Sequence, residues 1–433
     1  MHNFPSGATN PGCVATGDFN GDGYPDLVVT NHFNNVSVLI NNGDGTFKAP
    51  VNYSLDFYVT GCVGVADFNG DKKLDLAVVG GDTTGNGLAL LTGNGDGTFS
   101  TPSYTLTGLA GASISLALGD LNKDGNLDLF VGGNGSSDDV FGDGKGHFQD
   151  GYIQNAYGFD VALGDFNGDG NLDAVATGPY TNEVSVLLGK GDGTFQTPQV
   201  YSGINFPFGI TTGDFNRDGK LDLAVTLYNS ASVFILLGNG DGTFSLGQQW
   251  FADLSPGKVI TEDFNKDGKL DLAVSAFDGG DVSVLPGQGD GQFPTTLNFS
   301  TGKNPAYVAS GDFNRDGSVD LAVVNYGDNT VAVLLNAAGT FVKMESSANP
   351  SRFGQLVTFT ATVRSSVVKS QVPSGAITFK DGSKVIGHTK LNKGKASFAI
   401  SSLSKGHHNI IAVYSGDVRF NPNASSVLVQ IVK

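Results

Sequence analysis

The sequence predicts an all-β protein made of two unlike parts. A nine-residue word, Asp-(Phe/Leu)-Asn-x-Asp-x-x-x-Asp, recurs at intervals of 45 to 53 residues and begins at Asp18, Asp67, Asp120, Asp165, Asp214, Asp263 and Asp312. No part of this repeat has helical periodicity, and 63 Gly residues indicate many tight turns. After residue 340 the word stops, while alternating apolar residues continue. We therefore expect a seven-bladed β-propeller at residues 1–340 and an immunoglobulin-like β-sandwich at residues 341–433.

Each repeat contains four short strands. In residues 208–249 a first strand leads into the word at Asp214, two apolar runs follow at 221–227 and 232–237, and an Asp-Gly turn precedes the last strand. A four-stranded sheet of this size cannot bury both of its faces alone. Radial stacking covers each sheet with its neighbours, which favours a propeller over the alternative, a linear solenoid.

The seventh repeat needs a strand from elsewhere. Residues 341–347 run directly into the C-terminal pattern, so we assign them to the sandwich rather than to the last blade. Residues 1–6 would then supply the missing strand and close the ring. In the sandwich, alternation predicts one buried face, formed by Val357, Phe359, Ala361, Val363, Ile377, Phe379, Phe398, Ile400, Ile411 and Val413.

The words have the chemistry of a calcium loop. Positions 1, 3, 5 and 9 offer side-chain oxygens, and position 7 offers its carbonyl, whereas Ca²⁺ takes about six to eight oxygen ligands. Clustered carboxylates repel one another unless a cation is present, and soft metals are excluded because the word has neither Cys nor His. Any single copy has an alternative as an ordinary hydrogen-bonded turn, but seven copies favour Ca²⁺, up to seven ions. The expected ligands are Asp18, Asn20, Asp22, Tyr24, Asp26, Asp67, Asn69, Asp71, Lys73, Asp75, Asp120, Asn122, Asp124, Asn126, Asp128, Asp165, Asn167, Asp169, Asn171, Asp173, Asp214, Asn216, Asp218, Lys220, Asp222, Asp263, Asn265, Asp267, Lys269, Asp271, Asp312, Asn314, Asp316, Ser318 and Asp320.

The second copy is expected to bind calcium most weakly. Position 6 is Gly in the other six copies, where a sharp turn favours a residue without a side chain. The second copy instead has Lys72-Lys73 between Asp71 and Asp75, which adds positive charge and removes the Gly.

The net charge of −17 argues against nucleic acid as a partner. Half of the 42 acidic residues lie inside the words, so seven divalent cations, contributing +14, would leave −3. The sequence has no run of 18 apolar residues, so we expect no membrane insertion. The first residues do not resemble a signal peptide, and we expect that one has been removed. Cys13 and Cys62 each lie five residues before a word. A disulfide needs Cα atoms within about 7 Å, so we expect two buried thiols rather than a bond between blades.

The words carry a resemblance to a known family. Residues 165–173 and the following Gly191-Asp192-Gly193-Thr194-Phe195 resemble the FG-GAP/VCBS repeat, which includes the propellers of integrin α chains and many secreted bacterial proteins. The C-terminal part, with Gly375 to Gly382 and Val413 to Asp417, is similar to bacterial Ig-like repeats. The resemblance implies calcium loops on one face of the propeller and, where a ligand is known, binding on the opposite face. It implies no single activity.

Two sets of residues are candidates for that opposite face. Aromatic residues in the loops there suit contact with a sugar or a protein, although the alternative is that they fill gaps between blades. The candidate ligand-binding residues are His32, Tyr58, Tyr157, Tyr180, Phe206, Tyr228 and Tyr326, and the same loops hold Phe33, Phe57, Phe159, Phe208 and Phe277. The second set lies five residues before each word and should point toward the central channel; it comprises Cys13, Cys62, Ser115, Asp160, Gly209, Lys258 and Tyr307.

The sequence predicts a binding protein rather than an enzyme. No nucleophile elbow, phosphate loop or zinc spacing occurs, and neither His32 nor His147 has an evident catalytic partner. We expect a secreted or cell-surface, calcium-binding scaffold for adhesion or for binding an extracellular glycan or protein. One alternative is a carbohydrate-active enzyme of the polysaccharide lyase or sugar dehydratase type. The other is an architectural segment of a larger surface protein or filament with further modules.

Overall fold

A computed structural model describes residues 1–58, 61–82, 85–107, 113–133, 135–154, 156–336, 340–365, 372–417 and 420–433. It divides into two compact units. One holds seven four-stranded antiparallel sheets and the other holds the C-terminal strands. The only helix among the described residues is a single 3₁₀ turn at Tyr228–Ser230. In this part of the chain, no helix has the length and hydropathy needed to cross a bilayer.

The seven sheets follow one another in chain order and are called blades 1 to 7. Strand β1 is His2–Pro5, and blade 1 contains β2 (Pro11–Gly17), β3 (Asp26–Asn31), β4 (Asn35–Leu39) and β5 (Val51–Ser54). Blade 2 contains β6 (Val63–Ala66), β7 (Asp75–Asp82), β8 (Gly85–Leu91) and β9 (Ser103–Thr107), and blade 3 contains β10 (Ser113–Gly119), β11 (Asp128–Gly133), β12 (Ser137–Gly142) and β13 (Phe148–Gln154). Blade 4 contains β14 (Val161–Gly164), β15 (Asp173–Gly178), β16 (Glu183–Leu187) and β17 (Gln199–Ser202), and blade 5 contains β18 (Pro207–Gly213), β19 (Asp222–Leu227), β20 (Ser232–Gly238) and β21 (Phe244–Phe251). Blade 6 contains β22 (Pro256–Glu262), β23 (Asp271–Ala276), β24 (Asp281–Leu285) and β25 (Leu297–Ser300), and blade 7 contains β26 (Pro305–Gly311), β27 (Asp320–Asn325), β28 (Thr330–Leu334) and β1.

Strand β1 closes the ring, as the sequence predicted. It pairs antiparallel with β28, with His2 opposite Val333 and Pro5 opposite Thr330. The first strands of successive blades contact one another around the ring, and β26 of blade 7 contacts β2 of blade 1. These first strands are therefore the innermost ones, and they surround the central channel.

The core of the propeller lies between blades. The second and third strands are mostly apolar and almost fully buried, because each faces a neighbouring sheet on both sides. In β12 of blade 3, however, the polar residues Asp138 and Asp139 are buried. Between blades 1 and 2, for example, Val28 and Val38 pack with Leu76 and Val78. Buried aliphatic side chains of this kind contribute about 1.5–3 kcal/mol each.

Each acidic word is also part of the contact between blades. The Phe at position 2 of the first word, Phe19, meets Phe99 of blade 2 edge to face at 5.3 Å. The amide of Gly97, in the hairpin before Phe99, donates to the carbonyl of Phe19 at 2.9 Å. The same ring pair recurs as Phe68 with Phe148, Phe166 with Phe244, Phe215 with Phe293, and Phe313 with Phe47. Order in the word is therefore coupled to the docking of the next blade.

The C-terminal unit is a β-sandwich. Its strands are β29 (Thr340–Ser346), β30 (Val357–Ser365), β31 (Ala376–Asp381), β32 (Lys384–Lys390), β33 (Lys395–Ile400), β34 (Gly406–Tyr414), β35 (Asn423–Ala424) and β36 (Leu428–Val432). One sheet has the order β29-β30-β33, and the other has the order β32-β31-β34-β35, with β36 also paired to β34. Strand β29 pairs with β30, so residues 341–346 belong to the sandwich as predicted.

The predicted buried face is correct for β30 and β31 and wrong for β34. Val357 to Val363 alternate into the core, together with Ile377 and Phe379. In β34, however, Ile410, Ala412 and Tyr414 are buried, rather than Ile411 and Val413. The run from Ile410 to Val413 is apolar on both faces, so alternation gave no signal there. The pairing of Phe379 with Ala412 decides which face turns inward.

Candidate functional site

The acidic words occupy one end of the propeller, the acidic end. Each word joins the innermost strand of a blade to the second strand, as Asp18–Asp26 joins β2 to β3. The seven turns share one backbone conformation: φ lies between 53° and 77° at position 4 and between 67° and 87° at position 6. At position 6 this left-handed conformation suits Gly, but in the second copy Lys72 adopts it with φ of 67°.

The first three polar side chains of a word fold back onto its own amides. In the first copy the two oxygens of Asp18 accept from the amides of Asp22, at 3.1 Å, and Gly23, at 2.7 Å. Asn20 Oδ1 accepts from the Asp22 amide at 2.9 Å, and Asp22 Oδ1 accepts from the Tyr24 amide at 2.9 Å. In the first copy the sequence therefore concentrates side-chain oxygens on one exposed bend.

The last Asp of the word is a buried anchor. In the first copy Asp26 is fully buried and accepts from the amides of Phe19, at 2.9 Å, and Asn41, at 2.8 Å. It thereby ties the turn to the end of the third strand. Burial raises the pKa of its carboxyl to about 6, with a further rise from Asp22 and Asp18. Equivalent residues are anchored by two amides in the same way: Asp75, Asp128, Asp173, Asp222 and Asp271.

The turns fit a hard cation in their chemistry. The atoms that could bind a metal are all oxygens. A carboxylate oxygen that accepts one hydrogen bond from an amide retains a second lone pair. Within the described residues, no three His, Cys, Asp or Glu side chains converge as a ready metal-ligand cluster. The calcium ligands therefore stay a prediction. Lys73 Nζ lies 3.5 Å from Asp71 Oδ2 in the second copy, but Lys220 and Lys269 make the same approach to Asp218 and Asp267 in copies 5 and 6. Position 6, rather than position 7, distinguishes the second copy.

The opposite end of the propeller, the mouth end, contains a cavity of about 480 Å³. We call it the mouth cavity. Its floor includes the whole set of residues that lie five positions before the words, which confirms that they point toward the channel; these are Cys13, Cys62, Ser115, Asp160, Gly209, Lys258 and Tyr307.

Cys13 and Cys62 form a disulfide, so the expectation of two free thiols was wrong. The Cα atoms of these residues, 49 positions apart, are separated by only 5.2 Å. The prediction failed because innermost strands of neighbouring blades converge at the channel, which brings equivalent positions closer than the blades are elsewhere. The bond joins blades 1 and 2.

Asp160 is the centre of a network that joins the other five blades. Its carboxylate accepts from Ser115 Oγ of blade 3 at 2.7 Å and from the Ile210 amide of blade 5 at 2.9 Å. Lys258 Nζ of blade 6 donates to both carboxylate oxygens, at 2.9 and 2.7 Å. Lys258 also lies over the ring of Tyr307 of blade 7, 5.4 Å from its centroid.

The ion pair is buried, and burial changes the pKa values of the groups that line the cavity. The side chains of Lys258 and Asp160 are 14% and 7% exposed. Burial alone would lower the pKa of the Lys258 ammonium, but the Asp160 carboxylate and Tyr307 together outweigh burial and raise that pKa. Burial raises the pKa of the Tyr307 phenol and lowers the pKa of His32, so both are uncharged at neutral pH.

Aromatic rings form the sides of the cavity. Of the predicted ligand-binding residues, His32, Phe206, Tyr228 and Tyr326 line it, together with Phe159, Phe208 and Phe277. Tyr58, Tyr157 and Tyr180 are exposed outside its lining. Ring contacts arrange the lining residues in two groups. Wall A contains Phe159, Phe206, Phe208 and Tyr228 from blades 4 and 5, and wall B contains His32, Phe277 and Tyr326 from blades 1, 6 and 7.

Comparison with known families agrees with this architecture. The FG-GAP-like repeat matches residues 18–78, 67–131, 165–225, 214–274 and 263–323, which together make up more than half of the chain. The chain belongs to the FG-GAP repeat family. Each FG-GAP match begins at an acidic word and extends beyond the next one. A bacterial Ig-like domain (group 3) matches residues 344–433, in agreement with the sandwich.

Solved structures share the fold of this FG-GAP chain. A crystal structure of BBS1N in complex with ARL6DN, soaked with mercury, has a TM-score of 0.56 at 13% identity, over 77% of this chain and 95% of that one. The same complex soaked with lead gives 0.54 at 12% identity, with the same coverage. At these identities the likeness concerns the fold alone. A search of curated proteins found no match.

Sequence reasoning identified the members of the floor but not their pairing. Asp160, Lys258 and Tyr307 occupy equivalent positions of three repeats, two of them with opposite charge. That charge complementarity was the available signal for the ion pair. The distance across the channel that allows Lys258 to reach Asp160 is not encoded in any local pattern.

Proposed function

We propose that this protein is a secreted, calcium-stabilised FG-GAP propeller that binds an extracellular glycan or protein at its mouth end. The observation that carries the proposal is the mouth cavity, with aromatic walls and a polar floor on a rigid ring of sheets. Small-ligand sites are mostly apolar concavities with a few fixed polar groups, in a volume range of about 300–1,000 Å³. The mouth cavity, at about 480 Å³, lies in that range.

Calcium has a structural role in this proposal. Each word carries a buried anchor and a Phe or Leu that packs on the next blade, so a cation in the word would rigidify a junction between blades. Extracellular modules bind calcium with dissociation constants of about 10⁻⁴–10⁻³ M, which suits the millimolar calcium outside cells. The disulfide between Cys13 and Cys62 also supports an oxidising compartment.

We propose binding rather than catalysis at the mouth. Among the acid–base groups of the floor, the Asp160 carboxylate is held by Ser115, Ile210 and Lys258. The raised pKa values of Lys258 and Tyr307 keep both groups protonated at neutral pH, so neither serves there as a general base. Adhesion through a surface glycan or protein follows if the chain is displayed outside the cell.

A glycan and protein array probed with and without EDTA tests the proposal. We expect binding that depends on calcium, because the scaffold positions the mouth residues. Incubation with acidic polysaccharides, followed by absorbance of unsaturated sugar ends, tests the enzymatic alternative and should give no signal. Array binding that is absent under both conditions, or release of unsaturated products, would contradict the proposal.

A further inference from the structure

We propose that the mouth cavity is a subsite for one neutral pyranose ring, with the Tyr307 hydroxyl and Ser115 Oγ reading a pair of sugar hydroxyls. This inference rests on the proposed function and narrows its ligand to a carbohydrate without charge. It derives from three properties of the cavity: its balance of charge, the polar atoms of its floor, and the placement of its aromatic walls.

The charged groups of the described lining cancel. Lys258 and Asp160 neutralise each other at 2.7 Å, and His32 and Tyr307 are uncharged at neutral pH. A uronate or sialic acid would find no free cation there, and a quaternary ammonium would find no free carboxylate. Burying an unpaired charge is costly, so an uncharged ligand is favoured.

The floor offers one donor and one acceptor. Lys258 Nζ donates to Asp160 and lies over the Tyr307 ring, 5.4 Å from its centroid. Among the described residues no acceptor is hydrogen-bonded to the Tyr307 O–H, so this group is available to a ligand oxygen. Ser115 Oγ donates its proton to Asp160 and keeps lone pairs for a ligand O–H. Adjacent sugar hydroxyls, each both donor and acceptor, complement this arrangement.

The walls present apolar faces to either side of that floor. Wall A and wall B come from different parts of the ring, with Tyr228 in the first and Tyr326 in the second. Aromatic faces suit a ligand with apolar C–H faces and a polar edge. A pyranose has both. An extended peptide would need a longer groove than this cavity provides.

Two substitutions test the assignment, each with a matched control on the outer strand of blade 3. Tyr307→Phe removes only the floor hydroxyl, and Tyr228→Leu removes a wall ring. Tyr152→Phe and Tyr152→Leu make the same chemical changes at a tyrosine that is 57% exposed and outside the cavity lining. The probes are the methyl pyranosides of glucose, galactose and mannose, methyl glucuronide, choline and N-acetyltyrosinamide, measured by saturation-transfer NMR and calorimetry.

We expect at least one neutral pyranoside to bind, and each cavity variant to weaken it about tenfold, the effect of losing one buried hydrogen bond or ring contact. Both Tyr152 variants should bind like the wild type, and all variants should keep its melting temperature. Preference for glucuronide, choline or the tyrosine derivative overturns the inference, as does failure of every pyranoside to bind. If array binding by the whole protein persists unchanged in Tyr307→Phe and Tyr228→Leu, the inference fails while the proposed function stands.

Discussion

The two ends of the propeller differ in how strictly the repeat is kept. At the acidic end, seven turns share three aspartates, an asparagine and the same positive φ angles. At the mouth end, seven equivalent positions hold two Cys and one each of Ser, Asp, Gly, Lys and Tyr. The strict end repeats one Phe–Phe contact at five junctions between blades, whereas the variable end assembles contacts that occur once. The difference indicates that repetition maintains the scaffold, whereas variation creates the disulfide, the ion pair and the lining of the mouth cavity.

The largest expected effect comes from removing calcium from the strict end. At calcium concentrations well above the dissociation constant, each occupied site contributes about 2 kcal/mol to the free energy of unfolding. With several sites, EDTA should lower the melting temperature by more than about 10 °C, and calcium, but not magnesium, should restore it. Calorimetry with metal analysis checks this. Unchanged melting together with no bound calcium would remove the functional distinction between the two ends.

The next largest effect is expected from the ion pair at the variable end. Asp160→Ala leaves Lys258 buried without its partner, which costs about 3–5 kcal/mol of unfolding free energy. The double variant Asp160→Leu with Lys258→Met removes both charges and should recover most of that loss. Denaturant unfolding of the two variants measures the difference; equal losses would show that the charges are not coupled.

The same pair has a defined pH dependence. Because the pKa of Lys258 is raised in the folded state, its contribution is fully present below the ordinary lysine pKa of about 10.4 and decreases as the pH rises above it. The stability difference between the wild type and the double variant should therefore be constant from pH 7 to 10. It should shrink only in stronger alkali.

A smaller effect is expected from the disulfide. Cys13→Ser with Cys62→Ser opens a loop between residues 49 positions apart and should lower the unfolding free energy by about 2–4 kcal/mol. Dithiothreitol should reproduce this loss in the wild type and have no effect on the double variant, which is the matched control. Equal stability of the oxidised and reduced wild type would show that this junction does not depend on the bond.

The smallest effect tests the one irregular copy at the strict end. Lys72→Gly places glycine where φ is 67° and should raise the unfolding free energy by about 1 kcal/mol, while strengthening calcium binding in that copy. Gly170→Lys, in the fourth copy, makes the reverse exchange at φ of 80° and should have the opposite effect. Calcium titration and thermal melting measure both. A destabilised Lys72→Gly variant would show that the second turn is already relaxed.

The local sequence pattern determined the strands, their arrangement in a ring, and which residues lie at the acidic end and at the mouth end. The words specify tight oxygen-rich turns at a blade-sized interval, and a blade with two apolar faces must be covered by neighbours. Even the placement of the first strand in blade 7, where His2 pairs with Val333, followed from the sequence, because residues 341–347 run directly into the sandwich and leave blade 7 one strand short. The inward direction of the row from Cys13 to Tyr307 could also be predicted, because each member precedes an apolar residue that turns to the other face of the strand.

Tertiary structure decided which of these residues meet. The bond between Cys13 and Cys62 and the pair of Asp160 with Lys258 depend on how closely the innermost strands converge, a distance set by packing of all the blades. The separation of Tyr228 and Tyr326 into two walls, with Tyr58, Tyr157 and Tyr180 outside, depends on loop conformations rather than on residue type. In β34, where both faces are apolar, pairing with β31 determined which face is buried. Sequence periodicity specifies what one strand or turn prefers, whereas contacts across the ring depend on the packing of many elements at once.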